Sequence, residues 1–192
     1  MAVDEQRDEY LDSVLIGGRE TAKIVLADYD NEWPARFAVI ADAVRRALGQ
    51  RARSVEHIGS TSVPGLAAKP VIDMLLTVGD VADEAAYVPP LEAAGFVLRV
   101  REPGHRMLRT PQRDVHLHVY EPDRAEVRDY LDLRDWLRIH EGDRSLYADT
   151  KRRLAQQHWS DMNYYADAKT DVLLQILARA RAWRATQSSA GG

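Results

Sequence analysis

Apolar residues recur along this chain with two different spacings, one suited to strands and the other to helices. From Pro70 to Val78 the run is almost continuously apolar, interrupted by a single acid, Asp73. Such a run predicts a central strand buried on both faces. Shorter runs at 23–27 and 53–58 predict two earlier strands. Segments 96–100, 105–110 and 114–120, divided by Pro-Gly and Pro-Gln turns, predict a meander. Between them, Phe37, Ile40, Val44 and Leu48 recur at helical spacing after Trp33-Pro34, with Gly49 as the stop. A second helix is expected over 81–94, disturbed by Pro89-Pro90 and ended by Gly95. Beyond Pro122 the pattern becomes wholly helical, with helices predicted over 123–140, 143–158 and 161–184. The class that follows is α+β: a mixed sheet with flanking helices, closed by a C-terminal helical group.

Residues 1–20 are polar and acidic with a Gly17-Gly18 break, and are expected to form a flexible extension. Residues 21–186 are expected to form one domain, and 187–192 a disordered tail. A chain of 192 residues with 45% hydrophobic content suffices for one real core. The formal net charge of −4 offers no broad surface for nucleic acid. Lys151-Arg152-Arg153 is read as a solvated helix face. With no cysteine, disulfides, thiolate nucleophiles and cysteine-ligated metals are excluded. No apolar run has the length of a membrane span, and Met1 to Glu5 lack the basic and apolar regions of a signal peptide, so a cytoplasmic protein is expected.

The chemistry concentrates between His57 and Asp73. Gly59-Ser60 follows a predicted strand, a place where glycine lets the backbone approach a phosphate and serine adds a donor. Thr61 and Ser62 add hydroxyls, and Lys69 adds a cation. Asp73, a carboxylate in an apolar strand, needs pairing or coordination. An ordinary tight turn and a structural Lys69–Asp73 pair are the plain alternatives. Two residues on, where a second metal-binding acid would share the strand face, stands Leu75.

Alternation over Val115 to Tyr120 puts His116 and His118 on one face, suited to metal binding with Asp73 or to general-base work. His57 lies close enough in sequence to join them. Arg134 and Arg138 share a helix face and could clamp a phosphate, with Asp132 or Asp135 as rival partners. Tyr165 and Lys169 also share a face, either to stack on a base and meet a phosphate or as core tyrosine and snorkelling lysine.

The run from His57 to Asp73 resembles the signature of the GrpB family. The resemblance extends from Val25 to Ala182 through Tyr29-Asp30, Trp33-Pro34, the His116-Leu117-His118 strand, Leu133 to Arg138, and Asp161 to Lys169. It implies a branch of the nucleotidyltransferase-fold superfamily, with Gly59 and Ser60 on the phosphate loop and Asp73 as the first metal-binding acid. It puts the His116/His118 strand near the usual third acid, and it makes Leu75 part of the family pattern. Relatives occur alone or fused to dephospho-CoA kinase, but no Gly-x-x-x-x-Gly-Lys-Ser/Thr loop occurs here.

Three functions follow as expectations. The first is a metal-dependent, nucleotide-using transferase acting on a small molecule, with Mg²⁺ or Mn²⁺ and a nucleoside triphosphate. In it Asp73, His116 and His118 are catalytic, and Asp73, His57, His116 and His118 hold metal. Gly59 to Ser62, Lys69, Arg134, Tyr165 and Lys169 hold phosphate or nucleotide. The second is a non-catalytic nucleotide-binding module, for example in CoA biosynthesis. The third is a His/Asp metal enzyme that uses no nucleotide.

Overall fold

A computed structural model of the protein describes residues 2–20 and 23–190. Five strands form one mixed sheet: β1 (Ser54–Ile58), β2 (Ile72–Thr77), β3 (Val97–Glu102), β4 (His105–Arg109) and β5 (Val115–Tyr120). Their order is β1-β2-β5-β4-β3, with β2 and β5 parallel and every other pair antiparallel. The apolar run around Asp73 therefore sits second from the edge, next to the alternating His116/His118 strand. The helices are α1 (Ala2–Val14), α2 (Trp33–Leu48), α3 (Glu84–Ala93), α4 (Ala125–Ile139), α5 (Glu141–Ala155), α6 (Met162–Asp167) and α7 (Thr170–Ala190). This is the expected α+β architecture.

Each sheet face is covered by a different set of helices. Met74, Leu76, Leu117 and Val119 point to one side, where Val44 and Leu48 of α2 and Tyr87 and Leu91 of α3 complete the main core. On the other side Ile58, Leu75 and Tyr120 meet Val127, Tyr130 and Leu131 of α4. A third cluster joins Val63 and Leu66, from the loop after β1, to Leu137, Tyr147 and Ile176. The C-terminal helices thus close over the loop that carries Gly59 and Ser60.

Several expectations are corrected. Residues 23–27 form no strand; Ala27 makes one antiparallel bridge to Ala68, and Ile24 turns away to pack with Leu154 and Tyr165. Residues 2–20 are not loose, because α1 buries Leu11 and Val14. Arg7 bonds Asp167 through both guanidinium arms at 2.8 Å, and Arg99 donates to the carbonyls of Ile16 and Gly18. The long third C-terminal helix is two helices, with Asp161 capping α6 through the Asn163 amide at 2.7 Å. The expected tail from 187 is helical to Ala190, and residues 191–192 lie outside the described residues.

Leu75 has a positive reason to be apolar. It is fully buried beneath α4, so the place of a second acid is core. Leu75→Asp leaves an unpaired carboxylate under the helix and should lower stability by about 3 kcal/mol or more. Urea unfolding measures it, and an unchanged midpoint would contradict this packing.

Candidate functional site

β1 ends at Ile58 and the chain turns sharply at Gly59 before a short 3₁₀ turn, Ser60–Ser62. Gly59 has φ 67°, a region that favours glycine. A Cβ there would lie 2.4 Å from Asp73 Oδ2 and 2.8 Å from Asp73 Cβ. Glycine is therefore required both by backbone conformation and by the carboxylate lying against it. Asp73 pairs across the sheet with Ile58 on one side and His116 on the other. His116 Nδ1 stands 3.3 Å from Asp73 Oδ1.

Asp73 opens into a cavity of about 400 Å³ whose wall includes Ser60, Lys69, His118, Lys151, Tyr165 and Lys169. Three amines thus face one carboxylate. Burial alone would raise the Asp73 carboxyl, but the hydrogen bond and charge of His116, with the Lys69 ammonium, hold it below its ordinary range. Lys151 donates to Ser60 Oγ at 3.0 Å and to the Ala67 carbonyl, and lies 4.5 Å from the centroid of the Tyr147 ring. Burial, then the neighbouring Lys169, pushes its ammonium down to about 7. Burial likewise lowers Lys69 and Lys169. Their Nζ atoms lie 5.9 and 4.6 Å from the Tyr165 ring centroid, a cation–π arrangement, and neither has a carboxylate partner in ion-pair range among the described residues. The Tyr165 hydroxyl is buried and has no hydrogen-bond partner among the described residues.

A second lobe of about 300 Å³ continues from this cavity, sharing Lys69, Met107, His116 and Asn163. At its far end Glu20 receives both arms of Arg109, at 2.7 and 2.9 Å, and lies 3.2 Å from Arg113 Nη1. The Arg109 hydrogen bonds hold the Glu20 carboxyl down at about 2. Arg113 reaches in from a backbone at φ 62°, strained for a residue with a side chain.

Other expected site residues lie elsewhere. His57 points to the opposite sheet face from Asp73 and stacks on Phe37, ring centroids 4.6 Å apart. Its Nε2 is 3.0 Å from Thr61 Oγ1, which itself donates to the Val71 carbonyl at 3.1 Å. The Ser62 hydroxyl donates to the Gly59 carbonyl at 2.6 Å. His57, Thr61 and Ser62 therefore brace the turn instead of facing a ligand. Burial pushes His57 down to about 4, so it stays neutral. Arg134 bonds Glu56, Asp135 and the His57 carbonyl, and Arg138 bonds the Ser62 carbonyl, so the first ties α4 to β1 and the second ties it to the turn that follows. Among the described residues no group of three or more His, Asp or Glu side chains is arranged to hold a metal ion. The expected set of Asp73, His57, His116 and His118 does not assemble as one: His57 is on the far face, and His118 is bonded to His105.

Lys151 and Tyr147 were missed as site residues, although a signal existed. Tyr147, Lys151 and Leu154 recur at helical spacing, which puts Lys151 on the buried stripe of α5 and not on its solvated face.

The model of the GrpB protein family matches residues 23–179. The chain belongs to the GrpB family. It is 53% identical over 170 residues to a UPF0157 protein of Streptomyces coelicolor, covering 88% of this chain and 91% of that one. The crystal structure of conserved protein GrpB from Enterococcus faecalis superposes with a TM-score of 0.74 at 32% identity, covering 83% of this chain and 99% of that one. A dephospho-CoA kinase of Mycolicibacterium paratuberculosis matches at 29% identity over 84% of this chain and 47% of the kinase. A fainter likeness, TM-score 0.49 at 13% identity, is to the GLD-2/RNP-8 complex, covering 90% of this chain and 63% of that one.

Gly59→Ala sets a methyl group against Asp73 at a left-handed backbone position. The expected loss is roughly 1–3 kcal/mol, read from chemical denaturation; unchanged stability would show that the turn relaxes freely.

Proposed function

We propose that the cavity binds a nucleoside triphosphate and that the protein transfers part of it to a small acceptor held in the adjoining lobe. The observation that carries this reading is the charge count around Asp73: three lysines to one carboxylate, none of the three with a carboxylate in ion-pair range among the described residues. The amines of Lys69 and Lys169, both set against the Tyr165 ring, would hold phosphate oxygens together with Ser60. The Arg109/Arg113 end of the second lobe would favour an acceptor carrying a negative group.

The donor set does not fit a two-metal site, because Leu75 is core and, among the described residues, Asp73 is the one carboxylate lining the main cavity. It fits a single Mg²⁺ or Mn²⁺ held by Asp73, since such an ion can take its other ligands from substrate phosphates and water. When bound, that ion would screen phosphate charge. His118, whose ring lines the cavity, would accept the proton of the acceptor hydroxyl, whose oxygen keeps the electron pair and attacks phosphorus. Pyrophosphate, or the remainder of the nucleotide, leaves with the electrons of the broken bond.

A second reading, a nucleotide-binding module that serves a partner such as a CoA-pathway kinase, draws support from the missing second acid and from the partial match to dephospho-CoA kinase. Calorimetric titration with ATP, GTP, CTP and UTP, with Mg²⁺ or with EDTA, tests both. Saturable binding is expected, and Lys169→Ala should weaken it about tenfold or more, the scale of a charged hydrogen bond. Affinity should fall as pH rises through 7, where Lys151 loses its charge, and Lys151→Met should abolish that slope. Metal-independent binding without turnover favours the module. No binding of any of the four nucleotides rejects both readings.

A further inference from the structure

His118 is the inner end of a chain of hydrogen bonds that runs from the cavity to the N-terminal helix. Its Nδ1 lies 3.1 Å from His105 Nε2. His105 Nδ1 lies 2.7 Å from Glu102 Oε2, across the β3–β4 turn. The other Glu102 oxygen accepts from the Tyr10 hydroxyl of α1 at 2.5 Å. The strands explain the alignment. His105 and Met107 share a face of β4, and Met107 pairs with His118, so the two imidazoles are diagonal neighbours on adjacent strands. His105 is further fixed by stacking on Tyr120, ring centroids 4.6 Å apart and planes within 14°.

Proton positions follow from which groups can accept. The hydrogen bond from His105, assisted by Tyr10, holds the Glu102 carboxyl below its usual range, so it is ionised and only accepts. Tyr10, raised to about 12 by that same carboxylate, keeps its proton and donates. A neutral His105 then carries its proton on Nδ1, which leaves Nε2 a bare acceptor. The 3.1 Å contact to His118 is a hydrogen bond only if His118 carries its proton on Nδ1. The lone pair of His118 Nε2 is left for the cavity.

We infer that Tyr10, Glu102 and His105 are positioning residues that lock His118 in the Nδ1–H tautomer and turn a bare Nε2 toward the bound substrate. The inference deepens the transferase reading and rests on it for its purpose, but not for its geometry. A carboxylate that orients an imidazole through its far nitrogen is a known way to fix tautomer and ring direction; here a second imidazole is interposed. If Nε2 takes a proton from an acceptor hydroxyl, the imidazolium that forms donates through Nδ1 to His105, and the Glu102 charge faces it from two bonds away. The arrangement also gives α1 a reason to dock where it does, because its Tyr10 holds the outer end of the chain.

Long-range ¹H–¹⁵N spectra of the histidine rings, recorded on the full chain at neutral pH without nucleotide, test the assignment. The expected result is Nδ1 protonated and Nε2 bare in both His118 and His105. His105→Phe keeps a flat ring on Tyr120 but removes the acceptor, and should release His118 to the Nε2–H form or to a mixture. A wild-type His118 protonated on Nε2 overturns the inference even if the variant does not fold. A His118 that stays Nδ1–H in folded His105→Phe overturns the role of the chain. Because no nucleotide is present, either outcome is separable from failure of the transferase reading, which the nucleotide titrations decide.

Discussion

Gly59 lies so close to Asp73 that no other residue fits, and the rest of the site follows from that contact. The turn it permits sends Ser60 into the cavity and folds Thr61 and Ser62 inward, where their hydroxyls tie the loop to His57, Val71 and Gly59 itself. Asp73 is thereby shielded on one side and leans on His116 on the other. A carboxylate enclosed in this way needs positive charge nearby, and the helical group supplies more of it than one carboxylate can use. Lys151 arrives from α5 and Lys169 from the break between α6 and α7, while Lys69 comes from the loop itself. That surplus of positive charge is what the proposed binding of an anionic substrate rests on.

Much of this was legible in the sequence, and the part that was not has identifiable causes. The single acid in an apolar strand, the glycine-serine exit and the alternation of His116 and His118 are local patterns, and period-two alternation alone fixes which side chains share a face. His57 illustrates the limit. It is two residues from Gly59 in sequence, but an odd number of positions from Ile58, so it faces the opposite helix layer. Arg134 and Arg138 share a helix face as expected, yet that face meets backbone carbonyls and Glu56, a tertiary outcome that spacing does not encode. Lys151 was misread because a basic triplet suggests solvent, whereas the positions of Tyr147 and Leu154 mark the buried stripe. Residues 23–27 have strand-like composition, but Ile24 finds its core against α5 and Tyr165 instead of a neighbouring strand.

Leu75 connects fold and function. In this chain the position two residues after Asp73 is a buried leucine that seats α4 on the sheet. The same helix holds Tyr130 against Tyr120 and His118. Under the proposed function, lysine amines would meet phosphate charge without coordination chemistry. The cavity of this chain combines one carboxylate, Asp73, with Lys69, Lys151 and Lys169 among the described residues.

The most direct measurement of this account is a crystal structure of the protein with a nonhydrolysable ATP analogue and Mn²⁺. The account predicts phosphate oxygens against Lys69, Lys169 and Ser60, with any manganese touching Asp73 and no other side-chain carboxylate. Phosphates bound on another surface, with Lys69 and Lys169 left facing only the Tyr165 ring, would contradict it.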